Sequence, residues 1–490
     1  MLCQPSISAL SSPRDCKQLY QFLDFCKQQS LQDRHSKIAS IALEVPCLDP
    51  LVVLQQWSRS DQVHFYFENQ DAEKAIAAID AVSLHQADGS QRFVAAQQFT
   101  QDCMQHFITN SHPSPWSTPR FFCSFTFSDQ SDSRADAISH DSRSFARSGG
   151  FAAGTVFLPK WQVMRSHNQS MAIANLSIHR QSNIEQLTQK IWQQFQQLCA
   201  PQYSLLHFPQ GMPPSLEPRQ PWQMGNVDNF RTAVVGALRS IQAQQLHKLV
   251  LAHAVDVTSS LPFQAVPSLH NLRQRHPDCT VFSVGNGQGQ SFIGASPERL
   301  LSLHQGRLVT DALAGSAPRG KTMAEDDAFA QRLMQTDKER REHQVVVDFI
   351  AQRLVQLGLQ PKYASSPKIL PLSNIQHLHT PIRTLVSNPI HPFKILAELH
   401  PTPAVAGMPR DIACQHIQHY EKFGRSLYAA PLGWLDTQGN AEFVVGIRSA
   451  LLDGHRARLY AGAGIVAGSD PDRELAEIKL KFQALLQALV

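Results

Sequence analysis

The sequence predicts an α+β fold in which antiparallel strands are covered by helices, and three observations carry that prediction. Residues 294–320 (GASPERLLSLHQGRLVTDALAGSAPRG) read strand, tight turn, strand, turn. Residues 433–466 contain two hairpin signals, at 436–440 and 453–455, and read as a three-strand meander. Helical patterns flank these runs instead of alternating with them one for one, which argues against a parallel doubly wound sheet. A chain of 490 residues, 42% hydrophobic, has room for one large domain or two to three average ones.

Taken in order, residues 19–27 and Ile184–Leu198 carry helical periodicity, and residues 63–67, 121–127, 154–158 and 171–178 alternate as strands. Residues 128–150, rich in Ser, Asp and Arg, read as a surface loop. Six prolines between Pro201 and Pro221 make residues 201–225 a connector that cannot be regular helix. The connector divides the chain into residues 1–220, whose strands are expected to complete the core, and residues 226–490, where the chemistry concentrates. In the second part, residues 227–245 form an amphipathic helix and residues 248–257 (KLVLAHAVDV) a buried strand. Residues 322–357 read as a long helical region, and a closing helix starts at Pro471 under an Asp470 cap.

Bulk properties exclude several classes. The net charge of +4 is scattered, with no Lys/Arg block of the kind that tracks a nucleic-acid backbone. Nine cysteines show no C-x-x-C spacing, which fits reduced thiols in the cytoplasm. No apolar run is long enough to span a bilayer, and no secretory signal opens the chain, so no membrane role is expected.

Two helical stretches carry paired carboxylates. Glu339, Glu342, His343 and Val346 share one face, as do Glu474, Glu477 and Lys481. Solvated charge pairs are the plain reading. However, Val346 extends the first face into apolar territory, and buried acids need partners. Mg²⁺ would supply one, taking a carboxylate from each helix, a substrate carboxylate and waters. Lys248 opens an apolar strand; pointing outward it is a strand-end lysine, and pointing inward it is a candidate general base. Glu298, in an apolar turn, would keep its proton and serve as general acid. Arg448, Tyr428 and the Gly-rich residues 461–466 are candidate anion-binding groups. The dinucleotide-type spacing Gly462-x-Gly464-x-x-Ala467 is set aside, because the chain ends with the helix that follows it. His377, His379, His391 and His400 lack a usual metal-ligand spacing.

These motifs together resemble the chorismate-utilising enzymes. SPERL at 296–300, LAGSAPRG at 313–320, KERREH at 338–343, HPTPAVAG at 400–407, IR at 447–448 and AGAGIV at 461–466 occur in the family's order, from about Asn229 onward. The resemblance implies one α+β domain of two packed, mostly antiparallel sheets with helices outside. It implies that Glu342 and Glu477 bind Mg²⁺ with Glu339 and Glu474 in support, and that the metal holds the ring carboxylate of chorismate. Arg448, Tyr428 and the amides near Gly464 would hold the enolpyruvyl carboxylate. Gly315, Ser316, His377 and Lys481 would also contact the substrate.

Within the family, lysine at 248 marks members that add water, where anthranilate synthases carry glutamine. Ala314 replaces the lysine of aminodeoxychorismate synthases, and HLHTPI at 377–382 looks like isochorismate synthases. The resemblance therefore implies Mg²⁺-dependent isochorismate formation without an obligatory glutamine amidotransferase. A salicylate synthase is the nearest alternative; an aminase subunit and a non-catalytic chorismate sensor are more distant ones. His253 replaces the usual Arg, and His379 stands at a position that is often small in the pocket.

Overall fold

The computed structural model describes residues 13–110, 118–130, 150–200, 227–373, 375–387 and 390–490. Most of the expected loop at 128–150 and all of the connector at 201–225 lie outside these residues. Among the described residues the strands form one hydrogen-bonded network with two arms, antiparallel everywhere except between Lys37–Val45 and Phe107–Thr109.

The first arm runs, in spatial order, Gly407–Met408, Lys248–Thr258, Arg456–Ile465, Ser449–Asp453, Gln290–Ser296, Thr280–Asn286, Val63–Asn69, Lys74–Ala87, Gly154–Ser166, Gln169–Ile178, Lys37–Val45 and Phe107–Thr109. The second runs Lys368–Pro371, Ile375–Leu385, Arg307–Pro318, Arg299–His304, Ala441–Val445, Pro431–Asp436 and Arg120–Phe125. Arg120–Phe125 then pairs with the start of Gly154–Ser166, which joins the arms. The arms pack face to face: Phe65 of the first lies 5.2 Å, ring to ring, from Phe122 of the second. One continuous apolar core fills the space between them and under the helices. This is the α+β architecture of two packed, mostly antiparallel sheets.

Strands from before and after the connector interleave. Val63–Asn69 pairs along its whole length with Thr280–Asn286, and Arg120–Phe125 pairs with Pro431–Asp436. A buried charge network also joins the two regions. Arg273, on helix Ala265–Arg275, donates to both oxygens of Asp49 at 3.1 and 2.7 Å and reaches Glu68 at 3.5 Å. Glu68 also accepts from Tyr66 and Arg165.

Two expectations change in detail. The helical region at 322–357 is two helices, Met323–Gln335 and Asp337–Gln356, because Thr336 between them is extended. The meander is four strands, not three, because its central strand breaks at residues 446–448. The break moves the chain from one arm to the other: Ala441–Val445 belongs to the second and Ser449–Asp453 to the first. No helix among the described residues is long and apolar enough to cross a membrane.

Replacing Arg273 by Ala leaves Asp49 buried without its main cation and takes one of two arginines from Glu68. The expected cost is about 3–5 kcal/mol, read from urea unfolding, with one cooperative transition for the regions on both sides of the connector. A loss within a few tenths of a kcal/mol contradicts this account.

Candidate active site

The site forms where two neighbouring strands change arms at the same level. Gln290–Ser296 lies in the first arm and Arg299–His304 in the second, with Glu298 at the crossing. Arg448 occupies the matching crossing beside it, with a left-handed φ of 50°. Two backbone hydrogen bonds tie the crossings together: Val445 N–H to Glu298 O at 3.1 Å and Ala295 N–H to Arg448 O at 3.1 Å. A non-glycine residue held at positive φ is strained, and such strain concentrates at functional sites.

The residues expected to bind substrate or metal, and Glu298, all line one cleft that opens there; Lys248 and His379 do not. The two acidic helices reach it from opposite arms. Helix Asp337–Gln356 packs on Arg307–Pro318, and helix Pro471–Leu486 packs on Arg456–Ile465. Lysines balance their acids. Lys248 Nζ is 2.9 Å from Glu342 Oε1, and Lys481 Nζ is 2.7 Å from Glu477 Oε1. Lys338 Nζ is 3.2 Å from Glu474 Oε1 and 3.8 Å from Glu339 Oε1, linking one helix to the other.

Lys248 points inward, with its side chain 1% exposed. It sits behind the wall of the cleft rather than in it, with Glu342 between. Gly464 on the adjacent strand makes this possible, since a Cβ there would stand 2.5 Å from Glu342 Oε1. Gly315 has a comparable role: its φ of 75° shapes the bulge between Ala314 and Ser316, next to Glu339.

Glu298 is buried, and its pKa is pushed up to about 8. Burial is the main cause; Lys248 opposes it and Asp311 adds to it. The acids of the first helix are crowded as well. Burial, with Glu342 and Glu477 nearby, raises Glu339 to about 7 against the pull of Lys338.

On the opposite wall His377 is held neutral, its pKa lowered to about 3 by burial and by the cations Arg448 and Lys481. Its Nδ1 lies 3.0 Å from Gly315 O and 3.2 Å from Ser316 Oγ, and its Nε2 lies 3.3 Å from Arg448 Nη2. A neutral ring bearing its proton on Nδ1 donates to the carbonyl and accepts from the guanidinium, which orients Arg448. Tyr428 lies in the turn before Pro431–Asp436, not on that strand, and stacks on Tyr460 at 5.2 Å.

Among the described residues, no three His, Cys, Asp or Glu side chains form a ready cage for a metal. Mg²⁺ needs no such cage, since it typically takes one or two carboxylates plus substrate oxygens and waters. Opposed, crowded carboxylates, with Glu339 and Glu474 raised by burial, are a donor set that a hard cation would relieve, so the residues fit it.

Sequence reasoning missed Lys338, although its i,i+4 spacing from Glu342 placed it on the acidic face. His379 does not line the cleft among the described residues; its Nε2 lies 3.0 Å from Asp311 Oδ1. His253 is on the face of its strand opposite Lys248, between Phe230 and Phe482.

Comparison with known proteins agrees with this geometry. The sequence model of the family described as chorismate binding enzyme matches residues 23–490. The chain belongs to that family. The salicylate biosynthesis isochorismate synthase of Pseudomonas aeruginosa is 39% identical over 262 residues, 53% of this chain and 54% of that protein. Isochorismate synthase MenF of Bacillus subtilis is 36% identical over 262 residues, 54% of this chain and 55% of the relative. In these alignments the chain spans about half the length of the curated relatives it matches. In structure, the menaquinone-specific isochorismate synthase MenF from Escherichia coli superposes with a TM-score of 0.74 at 26% identity. That match covers 95% of this chain and 99% of the other.

The raised pKa of Glu298 has a sign that stability can read. Between pH 4.5 and about 8 the folded chain keeps a proton that the unfolded chain loses. Stability from this group is therefore full below that window and lost across it as pH rises. Glu298→Gln removes the dependence, so its stability relative to wild type should increase from pH 4.5 to about 8 and then level off. Parallel unfolding profiles for the two proteins contradict the assignment.

Proposed function

We propose that this chorismate binding enzyme is an isochorismate synthase that converts chorismate to isochorismate reversibly, with Mg²⁺ as its cofactor. The observation that carries the reading is the opposition of a buried lysine to a buried, protonated glutamic acid at one cleft. Lys248 lies behind one wall and Glu298 on another, and Arg448 stands beside Glu298 at the strand crossing. The named relatives support it, since the proteins matched by sequence carry isochorismate synthase names.

Glu342 and Glu477 would hold Mg²⁺, with Glu339 and Glu474 in support. When bound, the ion would neutralise and fix the ring carboxylate. Arg448, steadied by neutral His377, would hold the enolpyruvyl carboxylate together with Tyr428, Lys481 and the Gly464 amide. Gly315 and Ser316 form the bulged floor against the ring. Lys248, freed from Glu342, acts as general base and takes a proton from a water as that water adds to C2. The ring double bonds shift, and Glu298 gives its proton to the departing C4 hydroxyl, which leaves as water. One water enters and one leaves, so the reaction is an isomerisation. The described residues within 1–220 serve as scaffold by completing both arms, and residues 226–490 carry the chemistry.

Each proton-transfer role is typically worth about 10²–10⁴-fold. Lys248→Ala and Glu298→Gln should lower turnover at least that much while far-UV circular dichroism stays unchanged. Activity near wild type in either variant removes that residue's role. Product analysis after incubation with chorismate should give isochorismate in equilibrium with chorismate, only with Mg²⁺ and without ammonia. Salicylate and pyruvate in equal amounts would make the protein a salicylate synthase. Conversion only with ammonia would make it an aminase subunit, and binding without conversion a sensor.

Glu477→Ala should abolish the Mg²⁺-dependent part of chorismate binding, measured by calorimetric titration with and without the metal. Unchanged binding in that variant would take Glu477 out of the metal site.

A further inference from the structure

We propose that Cys279 is a positioning residue for Arg448: its neutral sulfur holds the guanidinium from outside the cleft and leaves the whole positive charge to a substrate carboxylate. This rests on the reading of Arg448 as the group that holds the enolpyruvyl carboxylate.

Cys279 sits between helix Ala265–Arg275 and strand Thr280–Asn286 and is 2% exposed. It is not among the residues that line the cleft, whereas Arg448 is. Arg448 Nη1 donates to Cys279 Sγ at 3.7 Å, and Nη2 donates to His377 Nε2 at 3.3 Å. Among the described residues the hydrogen bonds of this guanidinium go to these two atoms, and no carboxylate takes one. Burial pushes the Cys279 thiol up to about 12, with Arg448 opposing and Asp278 adding, so the sulfur carries no charge. His377 is neutral as well.

The sulfur is fixed by its backbone neighbours. Cys279 N–H donates to His276 O at 3.1 Å. Asp278, next to it, accepts from Ser373 N–H at 2.7 Å and from Ser373 Oγ–H at 3.0 Å. Ser373 precedes strand Ile375–Leu385, which carries His377, so Asp278 and Ser373 tie the two neutral acceptors of Arg448 to each other. The chemistry at this position favours sulfur. An arginine is always charged, and a carboxylate in place of the thiol would pair with it and compete with the substrate. An apolar side chain would fill the space but accept nothing, leaving a long side chain free to turn. A thiol is a weak acceptor, which orients the guanidinium without neutralising it.

The test is the KM and kcat for chorismate, with Mg²⁺ present, across substitutions at this one position. Cys279→Asn and Cys279→Asp have the same shape and differ in charge. Cys279→Asp should raise KM about tenfold or more above that of Cys279→Asn, because the new carboxylate takes the guanidinium from the substrate. Cys279→Ala removes the acceptor and should raise KM roughly two- to tenfold with kcat little changed. Cys279→Ser should restore most of that loss. Equal KM values for the Asn and Asp variants overturn the proposal. So does a Cys279→Ala variant with the KM of wild type, a comparison that stands even if the two larger side chains prevent folding.

Calorimetric titration with chorismate supplies a second readout that needs no turnover. Wild type and Cys279→Ser should bind most tightly, Cys279→Ala less so, and Cys279→Asp least. Equal affinities across this series overturn the positioning role. A wild type that binds chorismate without converting it would refute the functional reading while leaving this order of affinities decisive for Cys279.

Discussion

The architecture depends on two adjacent strands leaving one arm of the sheet for the other at the same level. Strands normally keep their partners, because each departure strands backbone donors and acceptors. Here the departures satisfy each other: Val445 donates to Glu298 O, and Ala295 donates to Arg448 O. The cleft opens where the strands cross, lined by Pro297, Glu298, Ile447 and Arg448 from the two crossings. An acid and a guanidinium therefore project from backbone that the ladder has released but that two hydrogen bonds still fix. Side chains on such backbone keep their geometry without belonging to a regular face.

Electrostatics then follows from closure. Two helices, one packed on each arm, bring four glutamates to the same cleft. Three lysines answer them, at 2.7–3.8 Å. A core built for stability alone would replace these charges with apolar side chains, since buried ion pairs seldom repay their desolvation. Their concentration at one cleft, with Glu298 and Glu339 pushed toward neutral pH, is what a site for moving protons near a bound anion requires.

The fold class was legible because antiparallel turns leave local marks, such as the hairpin signals at 436–440 and 453–455. The acidic faces were legible from helical spacing, and the chorismate-utilising resemblance assembled them into one site. What the sequence did not reveal is long-range. The break at 446–448 is invisible because the residues on both sides are equally strand-like, and only pairing shows that they belong to different arms. Thr336 splits one helical region because it sits extended, a break that the Thr-x-x-Glu spacing to Glu339 marks locally but the helical periodicity on both sides conceals. Nothing in KLVLAHAVDV showed that Glu342 would close over Lys248, since those residues are far apart along the chain. His379 illustrates the same limit: motif position suggested the pocket, whereas the structure turns it toward Asp311.

The central claim is that a water molecule, activated at Lys248, displaces the C4 hydroxyl of chorismate that Glu298 protonates. Running the reaction in heavy-oxygen water with Mg²⁺ and locating the label by mass spectrometry tests it most directly. The account predicts isochorismate with one heavy oxygen, carried by the hydroxyl at C2. Isochorismate formed without label would mean that the hydroxyl migrates within the substrate, and would contradict the proposed roles of Lys248 and Glu298 together.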